Sequence, residues 1–122
     1  MENEKHQRGM KMRRKVLGDM HVDKAEAAKT AFDKDFQEYI VNSAWSDIWS
    51  RPGLGLRERS LVTIAMLAAL GHEEELAMHI RATKNTGASQ DEVREVLLHV
   101  AVYAGVPAAN SAFKLAKEIF AL

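Results

Sequence analysis

The chain has 122 residues, with 17 Lys and Arg against 17 Asp and Glu, 47% apolar residues and no cysteine. That length suits one domain over residues 1–122, and the composition is that of an ordinary soluble globular protein rather than a disordered or fibrous one. The missing cysteine excludes disulfide frameworks, Cys-ligated zinc, iron–sulfur clusters and thiol redox catalysis.

Net neutrality hides an asymmetry. Residues 1–15 carry six cations (Lys5, Arg8, Lys11, Arg13, Arg14, Lys15) against Glu2 and Glu4, a local charge of +4 that leaves −4 for the rest. Residues 1–20 therefore read as a basic N-terminal arm: first a solvated or subunit-bridging tail, alternatively a clamp for an anionic substrate. Six dispersed cations without interleaved aromatic residues argue against nucleic acid as a partner. The arm has no apolar segment of the secretory type, so a cytoplasmic protein is expected. The longest apolar run, Leu61 to Leu70, spans about 15 Å as a helix, half of a bilayer core, so no membrane partner is expected.

The remaining elements read as an all-α pattern of about six helices. Asp23-Lys-Ala-Glu26 has the form of a capping box and predicts a helix through about Tyr39, with Ala27, Ala31 and Phe32 on its apolar side. A second segment runs from Tyr39 to Ser50 and carries Ile40, Trp45, Ile48 and Trp49. Arg51-Pro-Gly-Leu-Gly55 is a break. A helix apolar nearly all round follows from Leu56 to Leu70, and Gly71 ends it. His72 to Thr86 reads as one helix with Gly87 as its C′ residue. Ser89-Gln-Asp-Glu92 is a capping box before a helix to about Gly105, and Pro107 opens a last helix to about Leu122, as its N1 residue. The helices 56–70 and 89–105 are too apolar around their circumference for a lone bundle of this size, which predicts a homo-oligomer whose interface uses one or both of them.

The densest chemical constellation is His72-Glu-Glu-Glu75-Leu-Ala-Met-His79. On a helix His72, Glu75 and His79 share one face, and Glu75 and His79 are i,i+4 neighbours. A carboxylate beside an imidazole is a proton-transfer pair, because it fixes the tautomer and tunes the ring. Metal is disfavoured: His72 and His79 stand about 10.5 Å apart along the axis, and Leu76 occupies the second histidine position of H-E-x-x-H. Against the proton-transfer assignment, His79 also reads as an ordinary surface or core histidine, and Glu73 and Glu74 as a first turn complementing the helix dipole. Arg59 and Arg81 are candidates to pair bidentately with a carboxylate substrate, whereas Arg57 reads as a solvated surface residue. His99 reads as a buried, satisfied histidine. Tyr103, Pro107 and Asn110 lie at a helix break able to line a pocket, and Trp45 and Trp49 read as core. Phosphate-binding glycine motifs and the G-x-S-x-G motif are absent.

Several separated motifs, in order, resemble the carboxymuconolactone decarboxylase family. They are Arg8-Gly-Met-Lys-Met-Arg13 through Gly18-Asp-Met-His21-Val-Asp23, Trp49-Ser-Arg-Pro-Gly-Leu54 and Arg59-Ser-Leu through Gly71. Further on come Glu75-Leu-Ala-Met-His79-Ile-Arg81, Asn85-Thr-Gly87, and Glu92 through His99, Tyr103, Gly105, Pro107 and Asn110. The wider family includes alkylhydroperoxidase-D-like redox proteins, patterned Glu, eleven residues, Cys-x-x-Cys, three residues, His. Those positions here are Ser60, His72, Glu75 and His79, so only the histidine matches and the redox chemistry does not carry over.

The resemblance implies an all-α, alkylhydroperoxidase-D-like fold, a ring-like homohexamer and a cofactor-free decarboxylation of a small dicarboxylated lactone. For that reaction the expected proton donor is His79, with Glu75 setting its tautomer. Arg81 and Arg59 are candidate carboxylate clamps. His21, Arg8, Arg13 and Tyr103 are further candidates for substrate binding in the same or a neighbouring subunit. A non-catalytic helical oligomer of the same fold is the alternative expectation.

Overall fold

The structure, a computed structural model, describes residues 2–122, with side chains from Glu4 onward. The described residues form eight α-helices and one π-helix, with no strand. In chain order they are α1 (Glu2–Leu17), α2 (Asp19–Ala28), α3 (Lys34–Ile40), the π-helix (Val41–Trp49), α4 (Leu56–Leu70), α5 (Glu73–Arg81), α6 (Thr83–Thr86), α7 (Gln90–Tyr103) and α8 (Val106–Phe120). They fall into two compact units, Met1–Gly55 and Leu56–Leu122. Among the described residues no helix is long and apolar enough to cross a membrane.

In the first unit α1 packs on the π-helix and on α2. The basic segment is therefore a packed helix and not a solvated tail. Its inner stripe is Gly9, Arg13 and Val16, all buried. Gly9 is there because nothing larger fits: a Cβ at that position would stand 2.5 Å from the Val41 carbonyl oxygen and 3.2 Å from the Ser46 Cβ. Val16, Val22 and Val41 are excluded from solvent, and the Trp45 and Trp49 rings meet at a 32° tilt with centroids 5.1 Å apart. Those two tryptophans are core, as the sequence suggests. The arm's cations meet local acids: Lys5 reaches Asp47 at 3.0 Å, and Arg14 reaches Asp19 at 3.0 Å and Asp23 at 2.8 Å.

These pairings correct the reading of Asp23. It does not cap a helix; it lies inside α2, which begins after Gly18 (φ 91°) without a side-chain cap. Glu26 likewise spends its carboxylate on Lys29, at 2.8 Å. The expected helix through Tyr39 is broken after Ala28, where the Thr30 N–H and hydroxyl both donate to Asp33 in a side-chain turn. Ala27, Ala31 and Phe32 are exposed, Phe32 almost completely at 98%. The segment 39–50 is helical, and Val41–Trp49 takes π geometry.

The second unit is built around α4. Ile64 and Ala68 from α4 meet Leu76 and Ile80 of α5, Val93, Leu97 and Val100 of α7, and Ala109, Ala112 and Ala116 of α8. The alanines recur at helical spacing and let α8 approach closely. Ile64, Leu76, Ile80 and Leu97 are each no more than 2% exposed, and each such side chain contributes roughly 1.5–3 kcal/mol by leaving water. The ends follow local rules. Ser89 accepts from the Glu92 N–H at 3.1 Å and the Glu92 carboxylate accepts from the Ser89 N–H at 3.0 Å, the expected capping box. Gly87 sits left-handed at φ 86°, ending α6 as anticipated. Pro107 falls in the first turn of α8, one place inside Val106. The expected helix 72–86 is two helices, α5 and the short α6, separated at Ala82. The Thr83 hydroxyl, buried there, donates to the Ile80 carbonyl at 2.6 Å.

Candidate functional site

The chemistry-bearing helix is α5. Its buried face is Leu76, Ala77, His79 and Ile80, while Glu73, Glu74, Glu75 and Arg81 are exposed. The three acids occupy the first turn and His79 and Arg81 the last, so charge order complements the helix dipole. Glu75 precedes His79 by one turn, the spacing that brings Cβ atoms to about 5–6 Å. The pair straddles the edge between core and solvent: the imidazole lies inward at 6% exposure and the carboxylate outward. His79 is the one buried histidine among the described residues. That answers the alternative of an ordinary surface histidine.

His72 is exposed and precedes α5 without a side-chain cap bond. His99 is exposed, against the expectation of a buried residue. The reason is helical phase: Val93, Leu97 and Val100 form the inward stripe of α7, and His99 lies beside it, in ring contact with Tyr103 at 4.9 Å. Among the described residues no three His, Asp or Glu side chains are grouped to hold a metal ion.

The other candidates distribute over both units. Arg59, half-buried on α4, belongs to the second unit with Glu75, His79, Arg81 and Tyr103. Arg57, two residues before it, is exposed as expected and is ion-paired with Glu92. Tyr103 is 80% exposed. It lines a groove of about 460 Å³ between α4 and α7, with Val62, Met66 and His99. That groove is lined by neither His79 nor Arg81.

Arg8, Arg13 and His21 belong to the first unit. Arg8 is exposed on α1 and His21 half-buried on α2. Arg13 is buried, with its Nη1 3.7 Å from Glu26. Burial pushes its guanidinium below the usual value, opposed by the Glu26 charge. The Lys29 hydrogen bond holds Glu26 below the usual carboxylate range. A polar pocket of about 270 Å³, lined by His6, Glu26, Lys29, Lys34, Gln37 and Glu38, opens beside this cluster. Sequence reasoning missed it.

Comparison with known proteins follows the same segments. The carboxymuconolactone decarboxylase family profile matches residues 34–118. The chain is 46% identical over 119 residues to a 4-carboxymuconolactone decarboxylase of Acinetobacter baylyi, covering 98% of this chain and 89% of that protein. It is 40% identical over 99 residues to a nitrosuccinic acid decarboxylase of Metarhizium robertsii, covering 81% of this chain and 69% of that protein. It is also 41% identical over 46 residues to a 4-carboxymuconolactone decarboxylase of Pseudomonas putida, covering 38% of this chain and 96% of that sequence. With its all-helical architecture and a family match running from α3 through α8, the chain belongs to the carboxymuconolactone decarboxylase family.

Proposed function

We propose that this protein is a cytoplasmic carboxy-lyase that converts 4-carboxymuconolactone to 3-oxoadipate enol-lactone and CO₂, without a cofactor, in protocatechuate breakdown by the β-ketoadipate pathway. It works as a homo-oligomer, a hexamer by family resemblance, with a small dicarboxylated lactone as substrate. The observation that carries the proposal is His79: a buried imidazole at the solvent edge of α5, one turn after Glu75, within the span matched by the family.

The substrate makes the chemistry self-sufficient. The departing carboxylate sits on a carbon vinylogous to the lactone carbonyl. When its C–C bond breaks, the electron pair spreads through the double bond into that carbonyl as a dienolate. One proton delivered to the dienolate carbon completes the enol-lactone, so no external electron sink is required. Nitrosuccinic acid, named for the fungal relative, also joins two carboxylates to a group able to take up electrons. What remains for the protein is to hold the carboxylates, stabilise the developing oxyanion and supply the proton.

His79 supplies the proton, and Glu75 fixes its tautomer and recharges it from the solvent side. Arg81 and Arg59 hold carboxylate, and Arg8, Arg13, His21 and Tyr103 are further binding candidates. Tight binding of the leaving carboxylate would oppose CO₂ loss, so the clamps favour the acetate arm. The test is to generate the lactone in situ with the protein present and follow CO₂ release and enol-lactone formation. Acceleration well above the spontaneous rate is expected. No acceleration would overturn the assignment in favour of a non-catalytic helical oligomer.

A further inference from the structure

The second unit carries a surface that its own helices leave open. Val62 and Met66 on α4 and Val102 and Tyr103 on α7 are 44%, 58%, 76% and 80% exposed. They present roughly a few hundred Å² of apolar surface, the scale of the largest patch on an ordinary monomer at ~300–600 Å² and a substantial part of a standard ~800 Å² interface share. Between the two helices runs the 460 Å³ groove, lined by no Lys, Arg, Asp or Glu, with His99 and Tyr103 as its titratable members.

We propose that a second copy of this chain covers this face, with α4 and α7 of one protomer packing on α4 and α7 of its partner about a two-fold axis. The proposal rests on the oligomeric assembly above and adds to it which surface makes the contact. Charge selects the occupant. An acidic or basic partner finds no countercharge in the groove, whereas the same uncharged face on another copy offers matching chemistry and no desolvated ion. One exposed apolar group of the first unit, Phe32, Phe36 and Tyr39, is interleaved with Lys34, Asp35 and Glu38. Seating that group in the groove would strip water from three charges. Self-pairing of the groove strips water from none, and an isologous contact closes on itself. The His99–Tyr103 ring contact holds two of the groove's largest side chains in place before association.

The test uses sedimentation velocity at micromolar concentration on the wild type and on Val62→Glu, Met66→Glu and, as a control outside the face, Phe36→Glu. All three positions are exposed in the protomer, and unchanged helicity by circular dichroism checks that each variant folds. The expected result is an assembled wild type and Phe36→Glu variant, with the dissociation constant raised at least ~100-fold in Val62→Glu and Met66→Glu. Because the chain has no cysteine, single Val62→Cys, Met66→Cys and His99→Cys variants also report self-proximity. Where the two-fold axis passes beside one of these positions, its two copies fall within the ~4.4–6.8 Å Cα separation of a disulfide and oxidation gives a covalent dimer. An assembled wild type unaffected by Val62→Glu and Met66→Glu, with no covalent dimer, refutes this face and leaves the oligomer standing. A single-chain wild type refutes the oligomer itself.

Discussion

Replacing Gly9 by alanine tests how α1 is seated. The added methyl would sit 2.5 Å from the Val41 carbonyl oxygen and 2.8 Å from its Cγ1. Carbon–oxygen contacts stand at about 3.3–3.6 Å, so α1 and the π-helix must part by most of an ångström. The nearest atom is backbone and cannot rotate away, which puts the strain in the upper part of the 1–3 kcal/mol range for overpacking. Alanine returns about 1 kcal/mol of helix propensity. The balance is a loss of about 1–2 kcal/mol. The assay is urea unfolding followed by fluorescence of Trp45 and Trp49, the chain's two tryptophans, both in the π-helix that α1 covers. With a slope of about 1–3 kcal/mol per molar, the midpoint falls by roughly 0.3–2 M. Gly53→Ala is the control, since a Cβ there meets nothing within 4 Å, and it stays within about 0.5 kcal/mol of wild type. A Gly9→Ala protein as stable as wild type would refute the close approach.

Ser89→Ala removes half of the capping box at the start of α7 and lowers stability by about 1 kcal/mol in thermal or urea unfolding. Glu26→Gln weakens the first unit by about 1–2 kcal/mol near neutral pH, because it strips the buried Arg13 of its countercharge. Since the Glu26 carboxyl is held below its ordinary 4.5, the gap between the two proteins is full above that value. It closes as the pH falls through the lower folded-state value, when wild-type Glu26 also loses its charge. Unfolding midpoints at stepped pH check this, and a gap that widens on acidification would contradict it. Arg81→Met raises KM about 10–100-fold with kcat preserved if Arg81 binds the substrate in ground and transition states alike. A pure kcat loss would place it at the developing oxyanion instead.

The second unit was the more legible half of the sequence. Leu56–Leu70 emerges at its expected ends because a proline–glycine break precedes it and Gly71 follows, and the Ser89 box and Gly87 are local signals that tertiary packing does not override. The first unit was harder to read because its acids serve Arg14 and Lys29 across turns and helices. A D-x-x-E pattern therefore occurs mid-helix, while the real start at Gly18 carries no capping side chain. A π-helix leaves no periodic mark that outweighs its rarity. At the candidate site, i,i+4 spacing brings Glu75 and His79 onto one helix, but only the folded unit decides that the imidazole turns inward. His99 was misread because an apolar neighbourhood in sequence looks the same whether it is core or an uncovered face.

The central claim is that the buried His79 delivers the proton that ends decarboxylation. Its most direct test is steady-state turnover of 4-carboxymuconolactone by His79→Gln beside Glu75→Gln, with folding verified by circular dichroism and unfolding. Loss of a positioned acid lowers kcat by about 10²–10⁴-fold, and Glu75→Gln loses less if the proposed role of Glu75, to orient and recharge the ring, holds. Near-wild-type turnover by a folded His79→Gln protein would contradict the account.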